Sequence, residues 1–137
     1  MSNTQAVGVA YSDPEFTTCY ASQEIGYSAA AQGTVTQATD KSTGVTLNKS
    51  AGRITMNNAA LAGGAAVSFT LTNSSISIND TIIVNVSSNT TGSAAGAYTT
   101  YVSYLASGSA SITLRNLSAT SYSEAVIINF AIIHGAS

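Results

Sequence analysis

The sequence predicts an all-β fold, a sandwich or barrel of short antiparallel strands behind an extended N-terminal segment. Three observations predict it. Apolar and hydroxyl side chains alternate with period 2, most cleanly in AAVSFTLT, where Val67, Phe69 and Leu71 face one way and Ser68, Thr70 and Thr72 the other. Runs of this kind recur at short intervals between clusters of turn residues. Charged residues make up only 7% of the 137, against about 25% in an ordinary domain, while the apolar fraction is ordinary. Ser, Thr, Asn, Ala and Gly stand where Lys and Glu usually do, and a surface of hydroxyls and amides suits close-packed assembly better than acid–base chemistry.

Taken in order, residues 1–33 come first and carry the one proline, Pro14, the one cysteine, Cys19, and three acids, Asp13, Glu15 and Glu24. Their larger apolar residues, Tyr11, Phe16, Tyr20, Ile25 and Tyr27, keep neither a period of 2 nor one of 3.6. This stretch reads in two ways. It is an arm that orders on another surface, with those five residues as docking anchors, or an edge strand and loop folded onto its own domain. Residues 34–137 read as one domain, since a chain of 137 residues buries roughly 70% of its unfolded surface and leaves little for a second.

Within that domain, strands are expected at residues 34–38, 44–49, 53–57, 65–72, 81–87, 97–106, 109–117 and 124–133. Turn chemistry separates them: Asp40 to Gly44, Ala51-Gly52, Gly63-Gly64, Asn79-Asp80, Gly92 to Gly96, and Ser107-Gly108 as a hairpin. NNAALA at 57–62 is too short to stand as a helix. In the last strand Val126, Ile128, Phe130 and Ile132 form one face, and Ala125, Ile127, Asn129, Ala131 and Ile133 the other. Both faces are largely apolar, yet a two-sheet sandwich buries only one. Ile83 repeats the signal on a neighbouring strand. The expected consequence is a homo-oligomer, a cyclic trimer or dimer, with Ile127, Asn129, Ile133 and Ile83 at the contact.

Residues that carry chemistry are scarce. His134 is the single histidine, and there is no GxSxG elbow. Three copies of His134 on a trimer axis would offer imidazoles to a metal, but no Cys, His or acid stands beside it in sequence, so no metal and no other cofactor is expected. In the strand region the acids are Asp40, Asp80 and Glu124: the first two sit in turn sequence, and Glu124 opens a strand within reach of Arg115 or Arg53. These are structural places, not the paired carboxylates of a glycosidase. No phosphate loop is present. Lys41, Lys49, Arg53 and Arg115 are too scattered for nucleic acid, and the formal net charge is −2. No run is apolar and long enough to span a bilayer as a helix. The N-terminus lacks the pattern of a secretory signal, so synthesis in a cytoplasm is expected, with the Asn-x-Ser/Thr triplets unglycosylated and Cys19 an inert, partly buried thiol. The one recognition surface is Tyr98, Tyr101 and Tyr104 in AYTTYVSYLA. Strict period 2 puts Tyr98 and Tyr104 on one face and Tyr101 on the other.

The ordered set VTQATDKSTGVTLNKSAGRITMNNAALAGGAAVSFTLTN, NDTIIVNVSSNTTGSAAGAYTTYV and SASITLRNLSATSYSEAVIINFAII, covering residues 35–133, resembles a domain that recurs in tailed-bacteriophage virion proteins. The resemblance implies an antiparallel β-sandwich, jelly-roll-like and typically trimeric, of the kind found in head-decoration proteins and fibre tips. It implies no enzyme activity and no catalytic residues. With neither heptads nor a Gly-X-Y shaft before Val35, the expectation is a capsid decoration or cement protein on the virion surface, with itself and the major capsid protein as partners and residues 1–33 docking on the capsid or a neighbouring subunit. The alternative is a fibre or spike tip reading a host glycan, with Tyr98 and Tyr101 as contacts.

Overall fold

The computed structural model describes residues 17–89 and 96–136, and among them it forms two four-stranded sheets packed face to face. The strands are β1 (Gln32–Thr36), β2 (Val45–Thr46), β3 (Ala51–Thr55), β4 (Ala66–Thr72), β5 (Thr81–Asn89), β6 (Tyr98–Ala106), β7 (Ser109–Asn116) and β8 (Val126–Ile133). Sheet A has the order β1-β3-β8-β5 and sheet B the order β2-β4-β7-β6. Each of the eight expected strands has a counterpart, but the second shortens to Val45–Thr46 and the third begins at Ala51, so the expected Ala51-Gly52 turn is strand; residues 57–62 hold no helix, only an isolated bridge from Leu61 to Tyr122.

The sheets are mixed, which corrects the expectation of a wholly antiparallel sandwich. β1 pairs parallel with β3, and β2 parallel with β4, while the remaining pairs are antiparallel. The cause is the path of the chain. From β1 to β6 successive strands alternate between the two sheets, so the strand between β1 and β3 lies in the opposite layer and serves as the crossover that a parallel pair requires. Only β6 and β7 follow one another within a sheet, joined by the hairpin at Ser107-Gly108, where Gly108 adopts φ +78°.

The core lies between the sheets and is built from the alternation that the sequence displays. Ile54, Val126, Ile128, Phe130 and Ile132 of sheet A meet Phe69, Leu71, Ile112 and Leu114 of sheet B, all buried. Each fully buried aliphatic side chain stabilises the fold by about 1.5–3 kcal/mol relative to exposure. Where β1 and β3 run side by side, Gly33 lies opposite Gly52, and Leu47 and the Phe130 ring fill the space. A Cβ on Gly52 would lie 2.7 Å from both Leu47 Cδ2 and Phe130 Cε1.

Buried side-chain amides fasten the loops to this core. Gln37 donates to the carbonyls of Lys41 (3.0 Å) and Thr43 (2.8 Å) and accepts from the Asn57 amide (3.0 Å). Asn116 donates to Leu61 and Thr120 and accepts from Ser118, and Asn73 donates to Lys49 and accepts from Ser75. With Asn73 and Asn116 fully buried, two of the Asn-x-Ser/Thr triplets are closed to any glycan in the folded chain.

Two strands carry bulges. The β5–β8 register shifts between Val86 and Ser88, and the β6–β7 register between Val102 and Tyr104. Each leaves one extra residue, Ser87 or Ser103, on the longer strand. At the other end, β1 begins at Gln32, so the last two residues of the expected arm belong to the sandwich, after a 3-10 turn at Ala29–Ala31. Residues 17–28 are exposed and hold neither helix nor strand.

Candidate functional surfaces

The outer face of sheet A gathers side chains from all four of its strands. Register places Gln32, Ala51, Ala131 and Ile83 in one row across the sheet, and Thr34, Arg53, Asn129 and Asn85 in the next. Ile133 stands opposite Thr81, diagonal to Ile83. Thus Ile127, Asn129, Ile133 and Ile83 do share one face, because β5 and β8 are neighbours with their outward positions in step. Ile127 and Asn129 are half-buried, whereas Ile83 is 51% and Ile133 56% exposed. Ala51, in mid-row, leaves a depression. A hollow of about 450 Å³ opens there, walled by Gln32, Thr34, Arg53 and Asn129 over Ala51 and the glycine pair. Sequence reasoning missed Ala51, Arg53 and Thr34, since only strand order brings them onto one face with β8.

The outer face of sheet B is polar and flat. A chain of hydroxyl contacts crosses three strands: Ser68 to Thr113 at 2.7 Å, Thr113 to Ser103 at 2.9 Å and Ser103 to Ser111 at 3.2 Å. The bulge at Ser103 changes which tyrosines accompany it. Tyr101 stands opposite Thr113 and Tyr104 opposite Ser111, two positions that share a face of β7, so both rings point outward and are exposed. Tyr98 points inward. The expected pairing of Tyr98 with Tyr104 is therefore corrected, because one inserted residue reverses the alternation beyond it. Tyr98 is also removed as a ligand contact, being buried edge-on against Tyr122 with ring centroids 6.3 Å apart.

Around Tyr98 lies a buried polar cluster that the sequence did not indicate. Lys41 is buried, and its ammonium donates to the carbonyls of Glu124 (2.5 Å) and Asn57, tying three loops together at one end of the sandwich. Burial lowers the Lys41 pKa, and the nearby Glu124 carboxylate opposes that shift. The Tyr98 hydroxyl is buried near Glu124 without a hydrogen bond of normal geometry, and its pKa is pushed up to about 12, first by burial and then by that carboxylate. Glu124 thus faces Lys41 and Tyr98 within the protein, while Arg115 is exposed on sheet B.

At the far end of β8, Asp80 receives hydrogen bonds from the Ser77 amide (2.8 Å), the Ser77 hydroxyl (2.9 Å) and the Gly135 amide (3.1 Å), with His134 Nδ1 at 3.2 Å. These donors hold the carboxyl below its usual pKa, the Ser77 amide contributing most. Ser77, His134 and Asp80 do not form a nucleophilic relay. The serine hydroxyl donates to the carboxylate instead of to the imidazole, so the histidine is not placed to take its proton. Among the described residues no group of three or more His, Cys, Asp or Glu converges as a metal site would require.

Of the arm residues, Tyr11 and Phe16 lie outside the described residues. Cys19, Tyr20 and Ile25 are exposed, which corrects the partly buried thiol expected from sequence. Tyr27 is held by its own domain, donating its hydroxyl to the Ile132 carbonyl, and Gln32 donates to the Tyr27 carbonyl at 2.9 Å. Comparison with protein-family models, with curated proteins and with solved structures finds no match.

Proposed function

We propose that this protein is a non-enzymatic structural component of a bacteriophage virion, a cement or decoration protein that binds the assembled head as a homo-oligomer and stabilises it. The observation that carries this reading is the outer face of sheet A, where Ile83 and Ile133 stand exposed beside half-buried Ile127 in a chain with almost no charge. A rigid sandwich with such a face gains by association. A ligand of the assembled shell alone would stabilise that shell by mass action, multiplied over many equivalent sites. In this reading the partners are further copies of the chain, as a trimer, and the major capsid protein, and the sandwich is a jelly-roll-like module whose parallel edge pairs set it apart.

The testing experiment is the copy number of the chain in purified virions, measured against the major capsid protein. Hundreds of copies in simple ratio to the shell are expected. Absence from the particle refutes the virion reading. A few to a few dozen copies would favour the second reading, a fibre or spike tip that binds a host glycan. One specific observation speaks for that second reading: the bulge aligns Tyr101 and Tyr104 on one uncluttered face beside a row of hydroxyls, a combination suited to the apolar faces and hydroxyl rims of sugars.

A further inference from the structure

The exposed segment before β1 and the hollow on sheet A are complementary in three respects. The first is charge. Residues 1–33 contain Asp13, Glu15 and Glu24 and no Lys, Arg or His, so all of the chain's excess negative charge lies there. The remaining residues hold four cations, Lys41, Lys49, Arg53 and Arg115, against three acids, Asp40, Asp80 and Glu124. Arg53 stands in the wall of the hollow.

The second respect is apolar surface. Tyr20 is 92% and Ile25 85% exposed, so the chain's own sandwich covers neither. An aromatic ring alone offers 150–250 Å² or so for burial. On the receiving side, Ala51 and the backbone of Gly33 and Gly52 floor a trough between Gln32 and Thr34 of β1 and the wall of Arg53 and Asn129. The third respect is continuity. Tyr27 pins the segment to the Ile132 carbonyl of β8, the strand that supplies Asn129 and Phe130 to the hollow, so residues 17–26, exposed throughout, are tethered to the same sheet.

We propose that residues 17–26 of one copy seat in the sheet A trough of a second copy, with Tyr20 and Ile25 as apolar anchors and Glu24 on the Arg53 side. This rests on the reading of the protein as a homo-oligomer and names the contact that makes it one. An arm-to-face contact joins two different surfaces. Such a contact closes as a reciprocal dimer or as a ring in which each copy gives one arm and receives one, and a trimer is the smallest such ring. The faces then meet through arms, not by stacking Ile83 on Ile83.

Cys19, the one thiol of the chain, sits next to Tyr20 and serves as the reporter. Two single-thiol chains of different tagged mass are mixed and oxidised under copper phenanthroline: the wild type, and Cys19→Ser/Thr34→Cys, whose thiol lies in the wall of the hollow. The expected product is a mixed disulfide dimer, formed in preference to either homodimer and lost when Tyr20→Ala/Ile25→Ala is introduced into the wild-type partner. Light scattering on the unoxidised protein is read in parallel, with the double alanine variant expected to dissociate at least tenfold more readily and circular dichroism reporting its fold. Three results overturn the proposal. A Thr34→Cys chain retaining Cys19 that closes only an intrachain disulfide means that the arm serves its own face. An oligomer without cross-linking means that another surface joins the copies. A monomer at all concentrations removes the oligomeric reading itself.

Discussion

Replacing Tyr98 with Phe removes one hydroxyl from the buried cluster at Glu124 and Lys41, and its distinctive consequence is confined to alkaline pH. The unfolded tyrosine ionises near pH 10, whereas in the fold burial and the Glu124 carboxylate push that value up to about 12. A group whose pKa is raised by folding adds stability below its unfolded value and loses it as pH climbs through the folded one. Two units correspond to about 3 kcal/mol in full, of which about 2 kcal/mol is lost by pH 11.5. Lys41 acts in the opposite direction, since its lowered pKa makes the fold gain stability as pH approaches the ordinary lysine value. That contribution is common to both proteins and cancels in their difference. Urea unfolding of wild type and Tyr98→Phe at intervals from about pH 8 to 11.5 measures it. The stability difference should be constant to about pH 9.5 and then shift by about 2 kcal/mol in favour of the phenylalanine variant. A difference that stays flat across the whole range refutes the burial of the hydroxyl near the carboxylate.

Lys41→Met keeps an apolar stem of similar length but leaves the Asn57 and Glu124 carbonyls without their donor, and should cost about 2–4 kcal/mol in urea unfolding. Asp80→Asn should flatten acid denaturation: the wild-type carboxyl is held below its usual pKa, so it stabilises the fold above about pH 4 and loses that effect as pH falls through its folded value, which pH-dependent thermal melts would read. Gly63→Ala puts a Cβ 2.3 Å from the Ala119 carbonyl carbon, a clash with backbone that no rotamer relieves; a loss of about 3 kcal/mol is expected, visible as a lower urea midpoint. Nitration with mass-spectrometric mapping should modify Tyr101 and Tyr104 and spare Tyr98, and equal labelling of Tyr98 and Tyr104 would contradict the bulge.

The strands were legible because their signal is local. Val67, Phe69 and Leu71 announce one inward face within eight residues, and Ser107-Gly108 announces its own hairpin. The second apolar face of β8 was legible for the same reason. What escaped was whatever depends on a partner distant in the chain. Nothing in QATDK says that Lys41 will be buried 83 residues from the carbonyl it binds, nor in SIND that Asp80 will meet His134 at a separation of 54. Parallel pairing was equally hidden, since it follows from the chain's alternation between layers. The Ser103 bulge is the sharpest case: one serine among serines and threonines carries no compositional mark, yet it decides which tyrosines face the solvent.

Both bulges fall on the two nine-residue strands that end their sheets, β5 and β6. A long outer strand exposes a row of unpaired amides and carbonyls, and proteins commonly deter a stranger from pairing there with lysines or prolines. This chain has two lysines and one proline, none of them on β5 or β6. The extra serine in each strand takes over that duty by twisting the rim out of register with any straight partner. In a protein so poor in mutual charge repulsion, these two residues guard the sheet edges against pairing with another copy, and deleting either should be felt first as insolubility.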